Sequence, residues 1–104
     1  MQTEFSTYTA GGMGKADWSL IPSHMIDGLQ RYIENGIEPG SFLSSLLSND
    51  LLRTFEAADD INRHSVFNYL QFLYSYAPSE CWGSRDKYAA WIKQGGLNSK
   101  EIAP

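Results

Sequence analysis

Apolar residues recur at helical spacing in short runs along this chain, and each run is opened and closed by polar or turn-forming residues. Met25, Ile26, Leu29, Tyr32 and Ile33 define one face of a first helix. It begins after Pro22, with Ser23 as its cap. Asn35-Gly36 ends it, because glycine enters the left-handed conformation of a helix end without a Cβ clash. Pro39-Gly40 turns the chain, and Ser41 caps a second helix whose stripe is Phe42, Leu43, Leu46 and Leu47. Ser48-Asn49-Asp50 breaks the chain, with Asn49 or Asp50 capping a third helix over residues 51–58. That helix uses Leu51, Leu52 and Phe55 as its apolar positions; one continuous helix over 41–58 is the alternative.

Asp59-Asp60 places negative charge at the start of a fourth helix, the favourable end of its dipole, with Asp60 expected as its cap. Residues 61–77 then carry Ile61, Val66, Phe67, Leu70, Leu73, Tyr74 and Ala77, apolar on more than one side. A helix apolar on several sides is expected to be the central, most buried one. Pro78 ends it. Ser84 caps a fifth helix containing Tyr88, Trp91 and Ile92, and Gly95-Gly96 closes it. No run alternates long enough to predict a strand. The expected fold is all-α: a compact bundle of four to five short helices over residues 20–97. A flexible Gly-rich N-terminal arm (1–19) precedes it, and a tail (98–104) follows.

Composition narrows the classes of function. Aromatic residues make up 13% of 104 residues, more than so small a core holds easily, so some rings are expected to face a partner. The net charge of −4 argues against a general nucleic-acid binder, which needs clustered Lys and Arg to displace phosphate counterions. A single cysteine, Cys81, excludes a disulfide framework within one chain and favours the cytoplasm. No basic-then-apolar leader and no run of about 20 apolar residues is present, so neither secretion nor a membrane span is expected.

The candidate chemistry is thin. Gly12-Met13-Gly14-Lys15 fails as a phosphate loop: Thr9 occupies the first glycine position and Ala16 follows the lysine. Cys81 has no adjacent cation to stabilise a thiolate and reads as a small side chain seating its loop. Asp59, Asp60, Asn62 and His64 are metal-ligand types, but consecutive helical residues do not face one another, and capping explains them better. No catalytic residue, metal site or cofactor is therefore expected. Arg31, Arg53, Arg63 and Arg85 lie in or beside four helices. With surplus aromatics they are candidates to line a pocket for an anionic, ring-containing ligand, against the plainer reading of solvated charge. Trp82 sits in the loop Ser79-Glu80-Cys81-Trp82-Gly83, where it either plugs the core or anchors a partner. Tyr8, Trp18 and Tyr88 complete the candidate binding set.

The segments RYIENGIEPGSFL, LLSNDL and CWGSRDKYAAWI, taken together, resemble a family of small, uncharacterised proteins encoded by tailed bacteriophages and prophages. The resemblance covers roughly residues 21–97 and brings no catalytic residues with it. It implies a phage product acting in the host bacterial cytoplasm. The leading expectation is a non-enzymatic accessory protein that binds and neutralises a host component, as counter-defence. It would either occlude a host defence protein or act as an oligomeric sponge for a cyclic or ADP-ribose-type nucleotide signal. A homo-oligomer is expected. The alternative is a small helical transcriptional regulator that binds DNA, for which only Arg63 and His64 are offered at the start of the fourth helix.

Overall fold

The computed structural model describes residues 16–98. Among them are six α-helices: α1 (Ile26–Asn35), α2 (Ser41–Leu47), α3 (Leu51–Ala57), α4 (Asp60–His64), α5 (Val66–Tyr76) and α6 (Arg85–Gln94). Short 3-10 turns lie at Trp18–Leu20, Ser23–Met25 and Ser79–Cys81, and the described residues contain no strand. The all-α reading of the sequence holds. Among the described residues no helix is long and apolar enough to cross a membrane. Tyr8, the Gly12–Lys15 run and the tail beyond residue 98 lie outside the described residues.

Where the helices stop is largely set by backbone handedness. Gly36 closes α1 in the left-handed region at φ 69°, its N–H reaching the carbonyls of Arg31 and Tyr32. Asn49, at φ 63°, breaks the chain between α2 and α3, which excludes one helix over 41–58. Asp50 then caps α3, its Oδ1 accepting from the Arg53 N–H at 3.2 Å. Ser84 caps α6 in the same way, accepting from the Lys87 N–H at 3.1 Å. Three expected caps are corrected. Ser23 lies inside a 3-10 turn, and Ser41 is the first residue of α2 behind Gly40; neither helix start has a side-chain cap bond. Asp59 rather than Asp60 caps α4, because Asp59 holds the extended backbone that aims its carboxylate at the Asn62 N–H, 2.7 Å away.

The expected helix over 61–77 is two helices. The chain breaks at Ser65, whose hydroxyl donates to the Ile61 carbonyl at 2.8 Å. Across the break, the buried Tyr69 hydroxyl donates to Oδ1 of buried Asn62 at 2.7 Å, fixing α4 against α5. Nor is α5 central. It buries Tyr69, Phe72 and Leu73, but Phe67, Leu70 and Tyr74 face outward. The expected α3 stripe is inverted likewise: Leu51, Leu52 and Phe55 are exposed, and the buried residue is Thr54, whose hydroxyl donates to the Asp50 carbonyl at 2.6 Å. Short helices on a small core leave no second layer to cover those outer stripes.

The core sits between α1, α2, α5 and α6. Leu29, Tyr32, Ile33, Leu47, Phe72, Leu73 and Cys81 are fully enclosed. Burial also enforces polar pairing: the Tyr32 hydroxyl donates to the Cys81 carbonyl at 2.6 Å. Residues 16–19, expected to belong to the arm, are part of the fold. Asp17 caps the first 3-10 turn, and Trp18 packs on Phe72 with ring centroids 4.7 Å apart.

The α4 cap has a pH consequence. The Asn62 N–H, and after it the neighbouring His24 at 3.1 Å, hold the exposed Asp59 carboxyl below the usual carboxylate range. A group whose pKa is lowered on folding contributes stability that is present above its unfolded pKa and lost as pH falls through the folded value. Asp59→Asn keeps a capping oxygen but cannot titrate. It is expected to flatten the acid limb of a plot of urea midpoint against pH; an acid limb identical to the wild type contradicts this assignment.

Candidate functional site

Two surface features compete for function. The first is a polar groove of about 370 Å³ between α2, the start of α3 and α6. Ser41, Ser44 and Ser45 of α2 and Ser48 just after it line the groove, with Glu38, Pro39, Asp50, Arg53, Arg85 and Tyr88 around them. The Ser44 and Tyr88 hydroxyls are 2.7 Å apart. Burial raises the Tyr88 phenol above its ordinary range, with the Ser44 contact opposing, so the phenol stays protonated. Two of the four arginines singled out in the sequence converge here. Arg53 Nε lies 3.7 Å, and Arg85 Nη2 4.0 Å, from Oδ2 of Asp50. Both guanidiniums are largely exposed, so these pairs contribute little to stability. They do matter for ligand choice: Asp50 and Glu38 offset both positive charges, leaving a hydroxyl-rich groove without a net pull on anions.

The other expected site residues lie elsewhere. Arg31 is exposed on α1 and does not line the groove. Arg63 lies over the Phe55 ring, 4.5 Å from its centroid, and its Nε donates to the Phe55 carbonyl at 3.4 Å. Trp18 and Trp82 pack against the core, where large rings remove most area from water. The Trp82 Nε1 is buried without a hydrogen-bond partner. No single pocket therefore gathers the predicted set, because the helices bearing it point in different directions.

The second feature is apolar, and the sequence reading had placed it in the core. Leu51, Leu52 and Phe55 of α3, Ile61 of α4, and Phe67, Leu70 and Tyr74 of α5 are all exposed. Phe67 is 85% exposed, Tyr74 80% and Leu51 79%, so these rings and chains are not half-seated core members. Phe67, Leu70 and Tyr74 fall at i, i+3 and i+7, one stripe of α5. The two helices are joined by a cleft of about 90 Å³ lined by Leu46, Asn49, Asp50, Leu51, Thr54, Val66 and Leu70. Helix α5 contains no charged residue at all. That absence, together with apolar character on two faces, was the available signal that part of this helix exposes apolar side chains.

Chemistry of the catalytic kind has little to draw on among the described residues. The Cys81 thiol is buried, and burial, reinforced by the nearby Glu80 charge, pushes it well above the usual thiol range, away from the nucleophilic thiolate. His24 is engaged with Asp59, and His64 Nδ1 with the Asp60 carbonyl at 2.8 Å. Among the described residues no three His, Cys, Asp or Glu side chains converge to hold a metal ion. In comparisons with known proteins, no family model, curated protein or solved structure matches the chain.

Proposed function

We propose that the protein is a non-enzymatic accessory factor of phage origin that neutralises a host protein by covering it with the α3–α5 face, as counter-defence in the host cytoplasm. The phage origin rests on the sequence resemblance alone. The mode of action rests on one observation: an uncharged surface helix that exposes Phe67, Leu70 and Tyr74, with Leu70 sharing a cleft with the exposed Leu51 of α3. Large contiguous apolar patches on a small protein mark surfaces that pair with other macromolecules. Aromatic anchors are the side chains that most often dominate such binding. Burying each of these side chains contributes about 1.5–3 kcal/mol, which offsets the cost of bringing two proteins together.

Occlusion is favoured over the nucleotide sponge by charge. An anionic signal needs uncompensated guanidinium or ammonium groups, and the groove's arginines face Asp50 and Glu38. DNA binding is disfavoured on the same ground, since α5 offers no cation to a phosphate backbone.

The test is capture from infected cells by the tagged full chain, read by native mass spectrometry so that small ligands are also seen. One host protein is expected in near-stoichiometric amount. The double variant Phe67→Glu, Tyr74→Glu alters only exposed side chains and is expected to lower capture by about tenfold or more. Arg53→Ala, Arg85→Ala is expected to leave it unchanged. Capture indifferent to the first variant, or a nucleotide lost with the second, contradicts the proposal.

A further inference from the structure

We infer that the groove between α2, the start of α3 and α6 is a binding site for an uncharged, polyhydroxylated ligand of the saccharide class. The inference uses none of the residues on which the protein-binding reading rests, and each can fail without the other.

The groove offers hydroxyls that the fold itself does not use. A helical serine can return its hydroxyl to the carbonyl one turn earlier, as Ser65 does to Ile61 at 2.8 Å. Ser41, Ser45 and Ser48 do not: among the described residues their side chains make no hydrogen bond, and all three line the groove. They lie along one side of the α2 turn sequence, and from residue 41 to 48 the helical rise covers about 10 Å. A ligand lying along this row meets one hydroxyl after another.

Charge narrows what the ligand is. The lining carries two guanidiniums, Arg53 and Arg85, and two carboxylates, Glu38 and Asp50. A phosphate or nucleotide needs cations that no carboxylate offsets, and a cationic ligand would meet the guanidiniums. An apolar ligand would displace water from the serines and leave their hydroxyls unpaired. The class left is uncharged and both gives and accepts hydrogen bonds. Serine hydroxyls do both and rotate to suit, which matches the hydroxyls of a sugar. The guanidiniums add fixed donors and the carboxylates fixed acceptors, the means by which a site tells one hydroxyl configuration from another. Pro39 and Tyr88 supply apolar lining for the C–H surface of a sugar ring.

The walls are set before any ligand arrives. Ser44 Oγ donates to the Pro39 carbonyl at 3.2 Å and lies 2.7 Å from the Tyr88 hydroxyl. The Tyr88 ring stacks on buried Tyr32, with centroids 5.4 Å apart. The Gly83 N–H donates to the Leu47 carbonyl at 2.9 Å, tying the chain before α6 to the end of α2. Binding therefore orders little new structure, which lowers its entropic cost.

The experiment follows backbone amide shifts of the isotopically labelled full chain by nuclear magnetic resonance. The probes are maltotriose, chitotriose and lactose, each titrated to tens of millimolar, with AMP and inorganic phosphate in parallel. At least one saccharide is expected to give saturable shifts confined to residues 38–53 and 84–88, with a dissociation constant of about millimolar or tighter. The variant Ser45→Ala, Ser48→Ala, shown to be folded by far-ultraviolet circular dichroism, is expected to bind that saccharide about tenfold or more weakly. Shifts that stay linear to the highest concentration, or none from any saccharide, overturn the site. Saturable shifts in the groove from AMP or phosphate alone overturn the ligand class. A variant that binds as tightly as the wild type overturns the role of the serine row.

Discussion

Trp91→Ala is expected to remove a large share of the domain's stability. Trp91 lies on α6 and is 4% exposed, wedged against α1. Its Nε1 donates to the carbonyls of Tyr32 and Ile33, each at 3.1 Å, at the end of α1. Those carbonyls also accept the N–H groups of Gly36 and Leu97, so removing the indole leaves each with one partner rather than none. The cavity therefore dominates the loss, at about 3–5 kcal/mol for Trp to Ala in a core. Domains of this size have only about 5–15 kcal/mol of stability in total. At about 4–8 °C per kcal/mol, a loss of about 3–5 kcal/mol lowers the melting temperature by roughly 12–40 °C. Thermal unfolding followed by circular dichroism reads this directly; a shift below about 5 °C would show that Trp91 does not hold α1 to α6.

The second large effect is at Gly96. Its φ is +78°, and a Cβ there would lie 2.5 Å from the Asn35 nitrogen and the Glu34 carbonyl carbon, and 2.6 Å from the Glu34 oxygen. All three are backbone atoms at the end of α1, so no side-chain rotation relieves the clash. The contact exists because the chain after α6 runs against that end: the Leu97 N–H donates to Ile33 at 3.0 Å and the Asn98 N–H to Glu34 at 2.8 Å. The left-handed conformation costs an alanine about 1–2 kcal/mol, and the overpacking about 1–3 more. Gly96→Ala is thus expected to lose on the order of 2–5 kcal/mol and to release residues 97 and 98 from α1. Gly40→Ala is the matched control: no atom lies within 4 Å of its Cβ and its φ is −68°, so stability should barely change. Urea denaturation compares the three proteins, and equal midpoints for Gly96→Ala and wild type would refute the close approach.

These two residues also show what the sequence disclosed and what it hid. Gly36, Gly95 and Asn49 were legible as stops because only a few residue types tolerate their backbone conformation. The all-α class was legible because apolar residues kept helical spacing between those stops. The role of Gly96 was half legible: its end of a helix could be read, but its packing partner, some sixty residues earlier, could not. The outward faces were not read at all. Periodicity says which residues share a side of a helix, and nothing about which side the rest of the chain covers. Leu51, Leu52 and Phe55 form as good a stripe as Leu29, Tyr32 and Ile33, yet the first faces water and the second is enclosed. Likewise, arginines spread over four helices carry no direction, so two meet at Asp50 while Arg63 settles on Phe55. The sequence did hold one neglected clue, the eleven residues of α5 without a single charge.

Site-specific photocrosslinking tests the central claim, that the α3–α5 face is the protein-binding surface, more directly than any other measurement. A photoreactive phenylalanine analogue is placed at position 67 on the face, and in a second protein at position 88 in the serine-lined groove. After irradiation in host cells, position 67 is expected to give discrete covalent protein adducts, and position 88 none. Adducts from position 88 with none from position 67 would contradict the account.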